Sequence, residues 1–145
     1  MSTLEEILNT RAKDIEPPKA LPSGTYLGIV DGMFERIESR EKKTPGYRFR
    51  AKLIRPIEVA DEQGLADAGG CEGKSVSIDF YVTENNKYFI KQFLVEHLGI
   101  EEGEKTILEL MSESPGRQVG VVLRQQLSRG TEPRMIHVLA GTVRV

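Results

Sequence analysis

The side chains able to do covalent or metal chemistry are few in this chain, and they are scattered. It holds two histidines, His97 and His137, and one cysteine, Cys71. A metal centre or a nucleophile with its base needs such residues gathered with carboxylates at recognisable spacings. Here Cys71 falls in a glycine-rich turn, His97 on a helical stripe and His137 in a terminal strand. There is no phosphate-cradling glycine loop and no nucleophile elbow. The run Glu101-Glu102-Gly103-Glu104 follows a helix and reads as a solvated turn. Neither catalysis nor a cofactor or metal is expected.

The pattern with chemical content is basic. In Thr44-Pro-Gly-Tyr-Arg-Phe-Arg-Ala-Lys-Leu-Ile-Arg-Pro56, Tyr47, Phe49, Ala51 and Leu53 share one parity, and Arg48, Arg50 and Lys52 share the other. A strand sends alternate side chains to opposite faces, so this segment has an apolar face and a wholly cationic one. Aligned cations on a strand are suited to phosphate oxygens.

That strand belongs to a chain of 145 residues with a net charge of −2, a size that gives about one domain with a real core. Residues 34–56 carry eight Lys/Arg against three acids, and residues 117–145 carry five Arg against one Glu. Residues 57–116 between them carry four Lys against thirteen acids. If the fold joins the two basic blocks, a positive face results despite the overall charge. No apolar run approaches the roughly 20 residues of a membrane span, and the N-terminus lacks the pattern of a signal peptide. The lone Cys71 has no partner for an internal disulfide, so a reducing cytoplasm is expected.

The elements that must position these residues follow from periodicity and turn chemistry. Residues 3–14 read as a short helix with Leu4, Ile7 and Leu8 on a stripe and capping-box spacing from Thr3 to Glu6. A proline-rich linker follows, so residues 1–22 form an arm and residues 23–145 the domain. Residues 23–37 form a first strand of unclear parity, with Gly28 and Gly32 placed for a sharp bend. A polar turn over 38–45 leads to the second strand, residues 47–57. An acidic connection over 58–73 leads to a third strand over 74–83, where Val76, Ile78, Phe80 and Val82 alternate with Ser75, Ser77, Asp79 and Tyr81. A helix capped by Thr83 and stopped by Gly99 carries the stripe Ile90, Phe93, Leu94, His97 and Leu98. A shorter helix starts at Thr106, with Glu109 completing a second capping box. Strands over 117–127 and 134–145 finish the chain as a hairpin.

Three strands, a helix and two strands is the order of an OB-fold, a mainly β, five-stranded Greek-key barrel with its helix between strands three and four. A small β-sandwich with one decorating helix is the alternative. In an OB-fold, ligands lie on the outer face of strands two and three, between the loops joining strands 1–2 and 4–5. That face would hold Arg48, Arg50 and Lys52 with Tyr81. The first loop would add Arg40, Lys42 and Lys43, and the second hairpin Arg124, Arg129 and Arg134. A cationic groove with an exposed aromatic suits single-stranded nucleic acid. Tyr81 is the leading candidate for base stacking, with Tyr26 and Phe34 behind it. The same residues would also suit a solvated face, where Lys and Arg protect a strand from aggregation and Asp79 pairs with Arg48 or Arg50.

Several segments add a family likeness: Leu21-Pro-Ser-Gly-Thr-Tyr26, the turn from Ser39 to Tyr47, Asp79-Phe-Tyr-Val-Thr-Glu84, Lys91-Gln-Phe-Leu94 and His97-Leu-Gly-Ile100. Through them the chain resembles the small single-stranded DNA-binding proteins of tailed bacteriophages and related phage proteins of replication and recombination clusters. The resemblance spans residues 21 to 127. It implies an OB-fold, sequence-tolerant binding of single-stranded DNA during phage replication or recombination, and no cofactor. The implied partners are single-stranded DNA and phage replication or recombination proteins, with a homodimer allowed, no membrane, and the host cytoplasm as location. Many such proteins end in an acidic recruiting tail. This sequence ends Gly141-Thr-Val-Arg-Val145, so recruitment through a tail is not expected. The competing expectation is a phage virion or protein-interaction β-barrel whose basic patches face a neighbouring subunit.

Overall fold

The computed structural model describes residues 3–14 and 19–145. Its spine is β3 (Pro45–Val59), and the alternation in the sequence survives into the structure: Phe49, Ala51 and Leu53 are buried while Arg50 and Lys52 are exposed. β4 (Ser75–Tyr81) pairs antiparallel with one edge of β3, in the register Gly46↔Tyr81, Arg48↔Asp79, Arg50↔Ser77 and Lys52↔Ser75. The other edge of β3 takes β2 (Glu35–Glu38) along its first residues and β1 (Gly24–Val30) along the rest. β1 and β2 are thus the two halves of one bent first strand. The bend falls at residues 31–34, where Gly32 has a φ of +78°, a conformation open to glycine without a side-chain penalty. Gly28 does something else: a Cβ there would come within 3.3 Å of Val121 and 3.4 Å of Ala51, so the missing side chain lets the strands pack closely.

β1 also pairs with β5 (Gln118–Leu127), and β5 with β6 (Met135–Val143), all antiparallel. The path β2–β3–β1–β5–β6, with β4 on β3, gives a mainly β, OB-like fold. Two details correct the sequence expectation. The sheet has six strands because the first is split, and no β4–β6 ladder closes a barrel among the described residues. The helical insert stands at that opening. α3 (Lys87–Gln92) continues into a π-helical turn at Phe93–His97, and Ile90, Phe93, Leu94 and Leu98 bury their apolar stripe. Phe93 reaches 5.1 Å from the ring of Phe80 on β4, and His97 Nδ1 lies 2.7 Å from Thr142 Oγ1 on β6. Helix side chains bridge the two strands in place of backbone pairing.

Local signals place the other elements well, with shifts at their ends. Thr3 and Glu6 form the expected capping box, yet α1 (Leu4–Leu8) is one turn long and a separate 3-10 turn covers Ala12–Asp14. None of its residues is buried, so packing adds nothing to extend it. Thr106 caps α4 (Ile107–Ser112) by accepting the Glu109 N–H at 3.2 Å. Thr83 is not the helix cap. Its hydroxyl accepts the Asn86 N–H in a preceding turn, and α3 begins after Asn86. Gly99, with φ +74°, ends that helical region as expected. The acidic connection contains a further short helix, α2 (Glu62–Asp67), capped by Asp61. Before β1, Leu21 and Pro22 are buried, and the Leu21 N–H donates to His137 Nδ1 at 2.9 Å.

Candidate nucleic-acid interface

The β3–β4 register brings Arg48, Arg50 and Lys52 to one outer face beside Tyr81, Asp79, Ser77 and Ser75. Charge on this face is unevenly balanced. Arg48 donates to Asp79 through Nε and Nη2, at 2.8 and 3.0 Å, a forked geometry that holds both groups in place. Donation to the Asp79 carboxylate, followed by the carboxylate's charge, raises the Arg48 pKa above its ordinary value. Arg50 meets Glu35 of β2 at 2.8 Å. Lys52 has no carboxylate within ion-pair distance among the described residues. The middle of the face is therefore internally neutralised.

Unpaired positive charge gathers at its two ends. Beyond Tyr81, a groove of about 510 Å³ is lined by Ser39, Arg40, Lys42, Thr44, Thr83 and Asn86, with Glu41 its one acid. The loop carrying these cations is closed by Ser39 N–H to the Thr44 carbonyl at 3.0 Å and Thr44 N–H to Ser39 Oγ at 2.8 Å. Lys43 sits at its tip with φ +51°. Tyr81 is half-buried, its ring lying across Gly46: a Cβ added at Gly46 would come within 2.9 Å of Tyr81 Cδ1. At the other end of β4, beside Lys52, a groove of about 430 Å³ is lined by Lys19, Lys74, Ser75, Arg134 and His137. Lys74 Nζ is held on the Ala68 carbonyl. Burial first, then the charge of Lys74, pushes the His137 pKa down. The six steps from Ser75 to Tyr81 along β4 set the two grooves about 20 Å apart at the usual strand rise.

Not every residue expected at the site lies there. Tyr26 is a correction: it is fully buried, its hydroxyl donates to the Pro22 carbonyl at 2.7 Å, and burial pushes its pKa up to about 12. Its ring cannot meet a base. Phe34 is half-buried, edge-on to Tyr47 at 5.3 Å and tilted against Phe49 at 5.8 Å, so it extends the core. Arg124 is exposed on β5, with β1 between that strand and β3. Arg129 is exposed in the hairpin loop, and Arg134 lines the groove beside Lys52. Lys19 and Lys74 escaped the sequence reading. Lys74, directly before the alternating Ser75–Tyr81 segment, was the recoverable one.

Among the described residues, no group of three or more His, Cys, Asp or Glu is gathered for a metal, and no helix is long and apolar enough to cross a membrane. No protein-family profile matches the chain, and a comparison with curated proteins finds no match. Among solved structures, one titled "Yeast RPA bound to ssDNA" aligns over 98% of this chain and 86% of that chain, at 6% identity and a TM-score of 0.29. A likeness at that level is too low to transfer either a fold or a ligand.

Proposed function

We propose that the chain binds single-stranded nucleic acid, with single-stranded DNA as the expected form, along the outer face of β3 and β4 and without sequence specificity. The carrying observation is the register that sets Tyr81 and Lys52 on one face, between a groove holding Arg40 and Lys42 and a groove holding Lys74 and Arg134. Phosphates of a strand crossing this face would meet cations at both ends, and an unpaired base would meet Tyr81 between them. The neutral centre fits a ligand that presents base surface there. The reading involves no catalytic step and no cofactor. Protecting or organising DNA in phage replication or recombination is the role the sequence resemblance favours, with the host cytoplasm as its setting.

Titration of oligo-dT and of duplex DNA over a salt series tests this. With Arg40, Lys42, Lys43, Lys52 and Arg134 as phosphate contacts, log K should fall against log salt with a slope of about −3.5, from about −0.7 per single-strand contact. Equal affinity for duplex and single strand, or none for either, overturns the proposal. The ion pairs of Arg48 and Arg50 also suit a solvated face, as a virion or protein-interaction barrel would have. Such a protein would show no single-strand preference in the same titration.

A further inference from the structure

Of the nine aromatic side chains, three are buried in the core (Tyr26, Phe49 and Phe93), and Tyr47, Phe34, Phe80 and Tyr81 are half-buried. The two left facing solvent are neighbours in the first turn of α3: Tyr88 is 59% and Phe89 55% exposed. Their rings meet edge to face, with centroids 5.8 Å apart and planes at 77°, which leaves ring surface open. Burial elsewhere in α3 is satisfied by Ile90, and in the following turn by Phe93 and Leu94, so packing does not require this pair.

Their position is tied to the β3–β4 face in two ways. Asn86 Nδ2 donates to the Tyr81 carbonyl at 3.3 Å, which sets the start of α3 against the last residue of β4. Phe89 lines a cleft with Asp79 and Phe80 of β4 and with Gln92, which places it next to the strand whose Asp79 holds Arg48. β4 has no partner strand on this side among the described residues. The lysines of α3 are already paired, Lys87 with Glu84 at 2.6 Å and Lys91 with Glu102 at 3.1 Å. This surface therefore offers ring faces with little net charge.

We infer that Phe89 and Tyr88 form a second base-stacking platform, and that the bound single strand leaves the sheet beside Tyr81, crosses the edge of β4 and lays unpaired bases on α3. The inference rests on the proposed single-strand binding and deepens it. Stacking on an uncharged aromatic surface is sequence-tolerant, and its loss lowers affinity without changing the number of phosphates neutralised. The platform therefore differs measurably from the cations of the two grooves.

The test uses the full chain and oligo-dT of about 16 nucleotides, the upper range for one such fold. Phe89→Ala and Tyr88→Ala should each weaken binding about ten-fold while leaving the slope against salt unchanged, and Tyr88→Phe should restore it. The chain has no tryptophan, so Phe89→Trp supplies a single reporter. Its fluorescence should be quenched by oligo-dT and stay unchanged with heparin. Failure of the wild-type chain to bind oligo-dT overturns the proposed function and this inference together. Wild-type binding with unchanged affinity in both alanine variants overturns this inference alone. So does a change in sedimentation of the alanine variants at unchanged oligo-dT affinity, which would make the pair a protein interface.

Discussion

The guanidinium of Arg48 and the carboxylate of Asp79 face each other directly across β3 and β4, joined by two hydrogen bonds of 2.8 and 3.0 Å. The pair cancels one charge on the sheet face that carries Arg48, Arg50 and Lys52. It also ties the Arg48 guanidinium to the strand that bears Tyr81. A strand of phosphates approaching Arg48 must therefore compete with Asp79.

Removing that competitor should strengthen binding. Asp79→Asn keeps the shape of the side chain and frees the Arg48 charge, so the salt slope should steepen by about 0.7 if Arg48 then takes a phosphate. The residue is on the outer face, and the melting temperature should hardly move. Weaker oligo-dT binding in this variant would mean that Arg48 works only when Asp79 orients it.

Gly46 controls the position of Tyr81. A Cβ there would lie 2.5 Å from the Phe80 carbonyl oxygen and 2.9 Å from the Tyr81 ring, so Gly46→Ala must push the ring or the strand aside. Overpacking of this kind costs about 1–3 kcal/mol of stability. Oligo-dT affinity should fall along with it. Tyr81→Ala should cost about 1–3 kcal/mol of binding to single strands and leave heparin binding unchanged. Equal losses with both ligands would reduce Tyr81 to a structural residue.

Tyr26 should separate stability from binding in the opposite sense. Tyr26→Phe leaves the buried Pro22 carbonyl without its donor, at a cost of about 1–3 kcal/mol. Chemical denaturation should record that loss, while affinity for oligo-dT stays at the wild-type value. A large drop in affinity with unchanged stability would return Tyr26 to the ligand face.

Acid should loosen the segment before β1. His137 accepts the Leu21 N–H through Nδ1, a role open only to an unprotonated nitrogen, and Lys19, Lys74 and Arg134 line the same groove. Its folded pKa lies below the ordinary 6.5, from burial first and Lys74 second. Between the folded and unfolded values the unfolded chain binds more protons. This contribution is therefore complete above the ordinary value and is lost as pH falls toward the folded one. His97, lowered by burial against an opposing effect of Glu96, adds with the same sign. The melting temperature should fall between about pH 7 and pH 5, and His137→Asn, which keeps an acceptor without the titration, should flatten the fall. An equally steep fall in that variant would assign it to other groups.

Features whose physics is local are legible in the amino-acid sequence alone. The parity of Tyr47 to Leu53 needs only the two-residue period of a strand, and it set Arg50 and Lys52 outside and Phe49 and Ala51 inside. The caps at Thr3 and Thr106 need only a side chain three residues from its partner, and the stop at Gly99 only a left-handed residue. Features that depend on distant partners emerge only when the strands pair. β1 carries register shifts at Thr25/Tyr26 and Leu27/Gly28, so no simple alternation could announce that Tyr26 is core. The carboxylates that neutralise Arg48 and Arg50 arrive from two other strands, through Asp79 and Glu35. Whether the barrel closed was also beyond local reading, because the helix must bury Phe93 and Leu94 at the opening between β4 and β6. A strand's period assigns each side chain a face, but its neighbours on that face come from pairings that only the folded chain makes.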